Sequence, residues 1–257
     1  MTALKKTAWL LRRLCGLHDA LLLTGFAVLI VLSGYCVYDS VYVYMHTLGE
    51  DLKQYKPVMQ GTTVLDSPIS DDMVGWLTID GTSIDYPVMQ GRDNFEYLNK
   101  DPYGNFSFSG SIYLDCHNSG DFSDGYSLLY GHHMAYGKMF GALDAYLDPD
   151  YARLHTRARL VIGRNADQCR ELEIFAVMTV KATAEEIFHV ETEKDTADYV
   201  CRNADLLLSR PEGAILALST CADSAPDDRV VVLAYFKDEA VSPPQDTEEQ
   251  PETDALG

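Results

Sequence analysis

The sequence has no Cys-x-x-Cys pair, no internal repeat and few basic residues. Without cysteines at that spacing it encodes neither a zinc knuckle nor a thioredoxin-type redox motif. Lys and Arg number 20 against 39 Asp and Glu, a formal net charge of −19. Such a surface repels phosphate backbones, which argues against nucleic acid as a partner.

One long apolar run stands apart. Residues 21–38 carry no charge and as a helix would span about 27 Å, close to the bilayer core, at ~1.5 Å per residue. Lys5, Lys6, Arg12 and Arg13 precede the run with only Asp19 against them, and Tyr38, Tyr42 and Tyr44 follow it as an interfacial aromatic cluster. The basic side is expected to stay cytoplasmic, which places everything after residue 45 outside the cell as the ectodomain of a single-pass membrane protein. A cleaved signal peptide is the rival reading, but its apolar core usually has only about 7–15 residues. No small-x-small cleavage site follows, and Tyr35 directly before Cys36 spoils the echo of a lipoprotein box.

The expected organisation is therefore a basic N-terminus (1–20), an anchor (21–45), a connecting helix or linker (46–71), a globular domain (72–237) and an acidic tail (238–257). The tail has two adjacent prolines and no basic residue, a composition that favours disorder. Between 72 and 237 the pattern is a series of short strand-like runs: 74–79 and 84–88 around Asp80-Gly81, a hairpin signal, then 111–116, 127–130, 159–162, 172–180, 214–220 and 230–236. Helical patterns cover 140–147, stopping at Asp148-Pro149, and 196–209, ending before Pro211. Many short strands with a few inserted helices predict a mainly β barrel or sandwich.

Six cysteines occur, and four of them (Cys116, Cys169, Cys201 and Cys221) fall in the ectodomain. Outside the cell they allow two disulfides; a working nucleophile among them would leave three, at least one unpaired.

Cys221 is singled out by its place. The run Ile215-Leu216-Ala217-Leu218-Ser219-Thr220-Cys221 reads as a strand ending in a thiol. A loop of polar residues follows, and the next strand opens with Arg229. As an antiparallel hairpin the pair would set Cys221 and Arg229 opposite each other at its mouth. A guanidinium beside a thiol favours the thiolate, and its donors can hold the oxyanion formed when sulfur attacks a carbonyl. Taken alone, Cys221 reads more simply as a buried small residue or half of a disulfide, and Arg229 as a surface partner of Asp223, Asp227 or Asp228. The third feature is Leu128-Leu129-Tyr130-Gly131-His132-His133: an apolar strand, a glycine that breaks it, and two histidines at the break. A histidine titrating near neutrality can give a proton to a departing amine or take one from an incoming amine. A metal role for the pair lacks a carboxylate or cysteine at ligand spacing, with His117 far away in sequence.

These features, in this order, resemble the sortase family, in which a histidine after Tyr-Gly, a cysteine after Thr and an arginine opening the next strand form the active site. The likeness runs from about residue 72 to 236, and its details resemble class B. They are Val74-Gly75-Trp76-Leu77 with Ile84-Asp85-Tyr86-Pro87-Val88, then Asp93-Asn94-Phe95-Glu96-Tyr97-Leu98, and the helix expected just before the cysteine strand. The resemblance implies a closed β-barrel with N-terminal helices and an extra helix before the cysteine strand, preceded by one transmembrane helix.

It also implies a cysteine transpeptidase. Cys221 would be the nucleophile, His132 rather than His133 the acid and base, and Arg229 the oxyanion donor. Ser219 would support the site from the same strand face, and Asn94 and Leu98 would line the peptide groove. The enzyme would cleave a C-terminal sorting motif after Thr, form a thioacyl-enzyme and pass the surface protein to an amine of a peptidoglycan precursor, with no metal or organic cofactor. Rival readings are a pilin-polymerising sortase, an extracellular cysteine peptidase, which in the papain-like order would place cysteine before histidine, and a non-catalytic membrane-tethered binding module.

Overall fold

The computed structural model describes residues 3–46, 50–58, 67–190, 195–221 and 228–240. The chain divides into two units, residues 1–49 and 50–257. The first is a single helix, Ala3–His46, within which Leu11–Tyr38 has a mean hydropathy of 2.3 and no buried share. Its leucines, valines and isoleucines are exposed. A helix that is apolar all round and exposed over these described residues is of a kind that suits lipid.

The second unit is built on ten strands: β1 (Met73–Ile79), β2 (Asp85–Met89), β3 (Ile112–Leu114), β4 (Tyr126–Met134), β5 (Lys138–Met139), β6 (Arg157–Ile162), β7 (Gln168–Lys181), β8 (Leu206–Leu207), β9 (Ile215–Cys221) and β10 (Asp228–Ala240). Their order is β10-β9-β4-β3-β2-β1-β6-β7, and β10 pairs again with β7. The sheet thus closes into an eight-stranded barrel, which leaves its long strands no open edge. The short strands β5 and β8 hang on β4 and β7. Two pairings are parallel, β2 with β3 and β4 with β9; the rest are antiparallel.

Alternation along the strands sorts side chains between two faces. On one face of the β4–β9–β10 strip, Leu128, Ile215, Ala217, Val231, Leu233 and Tyr235 form an apolar cluster with Phe175, Met178, Ile187 and Val200. The last two come from the short helices Glu185–Phe188 and Thr196–Asn203, which cover this face. On the opposite face Leu129, Leu216, Leu218, Val232 and Phe236 are also buried. The strip is therefore apolar on both sides and fixed in register, because a one-residue slip would have to turn every one of these side chains over.

Two local expectations are corrected. Gly131 does not break β4, which continues through His132 and His133 to Met134. The glycine is needed for packing, since a Cβ there would lie 2.8 Å from the Phe140 ring. The helix before the cysteine strand, expected over 196–209, stops at Asn203. Asp205 then accepts a hydrogen bond from the Thr179 amide at 2.6 Å, and Leu206 and Leu207 join the edge of β7. Strand pairing there replaces the helical bonds that apolar spacing alone suggested. The expected helix over 140–147 is present as a 3-10 helix, Phe140–Leu147. Of the linker, the helix Glu50–Lys53 is present; residues 59–66 and the tail from 241 onward lie outside the described residues. Cys169 and Cys201 carry free thiols, so the two-disulfide arrangement does not form.

Candidate active site

The parallel pair β4–β9 runs in register from Tyr126 with Ile215 to His132 with Cys221. Paired residues on adjacent strands lie about 5 Å apart and point to the same face, so the histidine sits beside the cysteine that ends β9. On the other flank of β9, antiparallel β10 sets Val231 across from Ser219. That pairing ends there, and Arg229 stands two residues beyond it on β10, as Cys221 does on β9. The cysteine strand thus lies between a histidine strand and an arginine strand, at one end of the barrel, on the face that also carries the apolar cluster. The side chain of Cys221 and the loop 222–227, with Asp223 and Asp227, lie outside the described residues.

His132 is buried, 4% exposed. Its Nε2 lies 2.6 Å from the Leu98 carbonyl oxygen. A carbonyl only accepts, so Nε2 carries the proton of that bond, and Nδ1 is left as the nitrogen free to take or give one. Among the described residues, Nδ1 is buried with no hydrogen-bond partner, and so is Nη1 of Arg229. Buried polar atoms nearly always find partners, and these two stand on the strands at either side of the cysteine strand. Asp228 bonds Lys181 at 2.6 Å, and among the described residues no carboxylate claims Arg229.

His133, one step along the strand, points to the opposite face and meets the exposed Asp144, Nε2 to Oδ2, at 2.6 Å. The two histidines do not converge on a common point. Ser219 is fully buried on the cysteine face, its hydroxyl donating to the Thr220 carbonyl at 3.3 Å.

Asn94 and Leu98 come from the segment before β3. Both ends of the Asn94 amide are engaged: Nδ2 donates to Asp115 Oδ2 at 2.8 Å, and Oδ1 accepts from the Cys116 amide at 2.8 Å. Asp115 Oδ2 also accepts from the Tyr130 hydroxyl at 3.1 Å, and Tyr130 shares the strand face of His132. Asn94 therefore backs the site through Asp115. Leu98 is half-buried, and its clearest contact with the site is its backbone carbonyl. That contact was invisible to a reading of side-chain types, because any residue supplies the same oxygen.

One cluster has metal-ligand chemistry. Asp115, Cys116 and His117 each bring a donor atom within 4.8 Å of the others. The Asp115 carboxylate is already occupied, however. Its Oδ1 takes the His117 amide at 3.0 Å and Nδ1 at 2.8 Å, and its Oδ2 takes Asn94 and Tyr130. A hydrogen-bonded hub accounts for the arrangement, which sits beyond the far end of β3 from Ile112.

Two residues before Leu98, Glu96 accepts from the Arg92 amide at 3.0 Å and from Lys100 Nζ at 2.9 Å. These two bonds hold its carboxyl pKa down at about 2. Below the site, burial pushes the Tyr126 phenol far above its usual value, and its hydroxyl donates to the Ile187 carbonyl at 2.9 Å, pinning a covering helix to β4.

The sortase domain family model matches residues 77–237. Among curated proteins, sortase B of Listeria monocytogenes is 34% identical over 180 residues, 65% of this chain and 71% of that protein. Sortase B of Staphylococcus aureus is 30% identical, over 65% and 70%. Among solved structures, a Streptococcus pyogenes class B sortase involved in pilus biogenesis is similar with a TM-score of 0.58 and 34% identity, covering 65% of this chain and 92% of that one. A Staphylococcus aureus sortase B–substrate complex is similar with a TM-score of 0.58 and 30% identity, covering 68% and 82%.

Proposed function

Starting from a chain that belongs to the sortase family and is a class B sortase-type cysteine transpeptidase, we propose that Cys221, His132 and Arg229 carry its acyl transfer. The observation that supports this most directly is the register that sets His132 beside Cys221 on one flank of β9, with Arg229 on the other.

In the first step His132 Nδ1 takes the proton of the Cys221 thiol, and the sulfur attacks the carbonyl carbon of a threonine in the sorting motif of a surface protein. Arg229, whose Nη1 is otherwise without a bond among the described residues, donates to the oxyanion. The tetrahedral intermediate then collapses, the peptide C–N bond breaks, and His132 delivers a proton from Nδ1 to the departing amine. In the second step an amine attacks the thioester and His132 Nδ1 takes its proton. The new amide forms, and the departing Cys221 sulfur takes that proton back from Nδ1, which restores the resting thiol and imidazole. The hydrogen bond from Nε2 to Leu98 persists through both steps, because only Nδ1 changes its proton. Ser219, Leu98 and Asn94 are placed by this reading around the bound peptide, Ser219 from the cysteine strand and the other two from the segment beside His132.

Sortases act on surface proteins that carry a sorting motif, and the long apolar helix suits a protein held at the membrane. The basic residues before that helix support an orientation with the N-terminus cytoplasmic and the barrel outside. There both the substrate and a peptidoglycan precursor amine approach from the membrane surface. Wall anchoring is the reading preferred here. A pilin lysine as the nucleophile is kept as the second reading because a relative of 34% identity serves pilus biogenesis.

The test is to incubate the purified full chain in detergent with Thr-Gly and Thr-Asn motif peptides, with and without wall-type amines or a pilin lysine peptide, and to identify products by mass. Joining to a wall-type amine supports wall anchoring. Joining only to the lysine peptide supports pilin assembly. Cleavage indifferent to any amine contradicts both.

A further inference from the structure

The hydrogen bond between His132 and Leu98 depends on how the Leu98 carbonyl is held. Leu98 lies in the short 3-10 helix Glu96–Asn99, beside the segment 106–111. That segment claims the neighbouring carbonyls one by one. The Ser111 amide donates to Tyr97 O at 3.0 Å, the Ser107 amide to Asn99 O at 3.1 Å and the Ser111 hydroxyl to Lys100 O at 2.7 Å. Tyr97 is fully buried, and its hydroxyl donates to Asp72 at 2.6 Å, anchoring the turn at its other side. Leu98 O is the carbonyl in this series that faces His132.

Gly110 lies directly against that carbonyl. Its φ is +55°, a conformation in which only glycine rests without cost. A Cβ at this position would fall inside van der Waals contact with Leu98 O and 2.8 Å from Tyr97 O. Both obstacles are backbone, so the clash cannot be relieved by turning a side chain.

We propose that Gly110 is a positioning residue of this enzyme: by lacking a Cβ it leaves the Leu98 carbonyl within reach of His132 Nε2, which fixes the imidazole in its Nε2–H tautomer and keeps Nδ1 for the reaction. The inference rests on the reading of His132 as acid and base only for its effect on turnover; the tautomer itself is a property of the resting protein. A wrong tautomer would present a proton to Cys221 where a lone pair is needed, and the lone pair to Leu98 O, which repels it.

The experiment uses the full chain in detergent micelles, labelled with 15N-histidine, with the His132 resonances assigned by their loss in His132→Gln. Long-range proton–nitrogen spectra report which nitrogen carries the proton. The wild type is expected to show neutral His132 protonated at Nε2 and bare at Nδ1. Gly110→Ala is expected to mix the tautomers and to lower kcat by about 100-fold, within the span of general acid–base catalysis, with KM changed by less than about twofold. Gly104→Ala is the control. It has the same kind of backbone conformation, φ +88°, in the same loop, but a Cβ there meets only Lys100 Cε at 3.7 Å, and it should keep both tautomer and turnover. A wild-type His132 protonated at Nδ1, or a folded Gly110→Ala with an unchanged tautomer, overturns the proposal. If Gly110→Ala does not fold, Gly110→Asn takes its place, since asparagine tolerates a positive φ but still brings a Cβ against Leu98 O, and an unchanged tautomer there overturns the proposal. If the tautomer shifts while turnover holds, Gly110 positions the ring as stated, and the acid–base role of His132 falls instead.

Discussion

His132 stands beside Cys221 in the last pair of the parallel β4–β9 ladder, although β5 to β8 lie between them in the chain. The barrel brings them together by running β9 alongside β4, and its closure through β7 and β10 gives neither strand room to slide.

The first consequence concerns the thiol. Cys221→Ala removes one sulfur at the end of β9, where the strand is already fixed by pairing on both sides. All transpeptidation should be lost while the thermal midpoint changes by no more than a few degrees. Residual turnover would place the nucleophile elsewhere.

Arg229 is expected to be intolerant of a like-charged substitute. Arg229→Lys keeps the charge but replaces a planar fork by a point donor, and losing one well-aimed oxyanion donor costs roughly 100-fold or more in kcat. Steady-state kinetics with one motif peptide checks this; near-normal kcat would make Arg229 a surface charge only.

The two histidines should rank clearly. His132→Ala removes the buried ring bonded to Leu98 and is expected to lower kcat by about 100-fold or more. His133→Ala breaks a half-exposed pair with Asp144, a contact of the kind that contributes about 0–1 kcal/mol, and should leave kcat within about threefold by the same comparison. The reverse ranking would exchange their roles.

Acid should loosen the turn that carries Leu98. Glu96 has its folded pKa lowered from 4.5 to about 2, first by the Arg92 amide and then by Lys100. A depressed carboxyl pKa contributes stability that is fully present above the unfolded value and is lost as pH falls through the folded one. Denaturant titrations of wild type and Glu96→Gln should therefore differ at pH 7 and converge as pH falls from about 4.5 toward 2. A gap that stays constant over that window would mean the two bonds to Glu96 contribute nothing.

Much of this was legible in the residues themselves. Alternation located β1 and β2, and short apolar runs located the other long strands, because strands buried on both faces carry apolar residues at successive positions. The antiparallel pairing of β9 with β10 follows from two apolar runs joined by a short polar loop. Other features were not legible. Gly131 looks like a strand break in sequence and is a close-packing position under Phe140. Residues 204–208 have helical spacing, yet Asp205 and Leu206–Leu207 are worth more to β7 as partners than as a further helical turn. The parallel pairing of β4 with β9 joins segments distant in the chain, which no local pattern encodes. The acceptor for His132 is a backbone oxygen, and its neighbour Gly110 carries no side chain to be noticed.

The most direct test of the central claim is to locate the acyl-enzyme. The full chain is mixed with a sorting-motif peptide without any amine, quenched in acid, digested and sequenced by tandem mass spectrometry. The account predicts a thioester on Cys221, none on Cys116, Cys169 or Cys201, and its disappearance when a wall-type amine is added before quenching. A thioester on another cysteine, or turnover with none on Cys221, would contradict it.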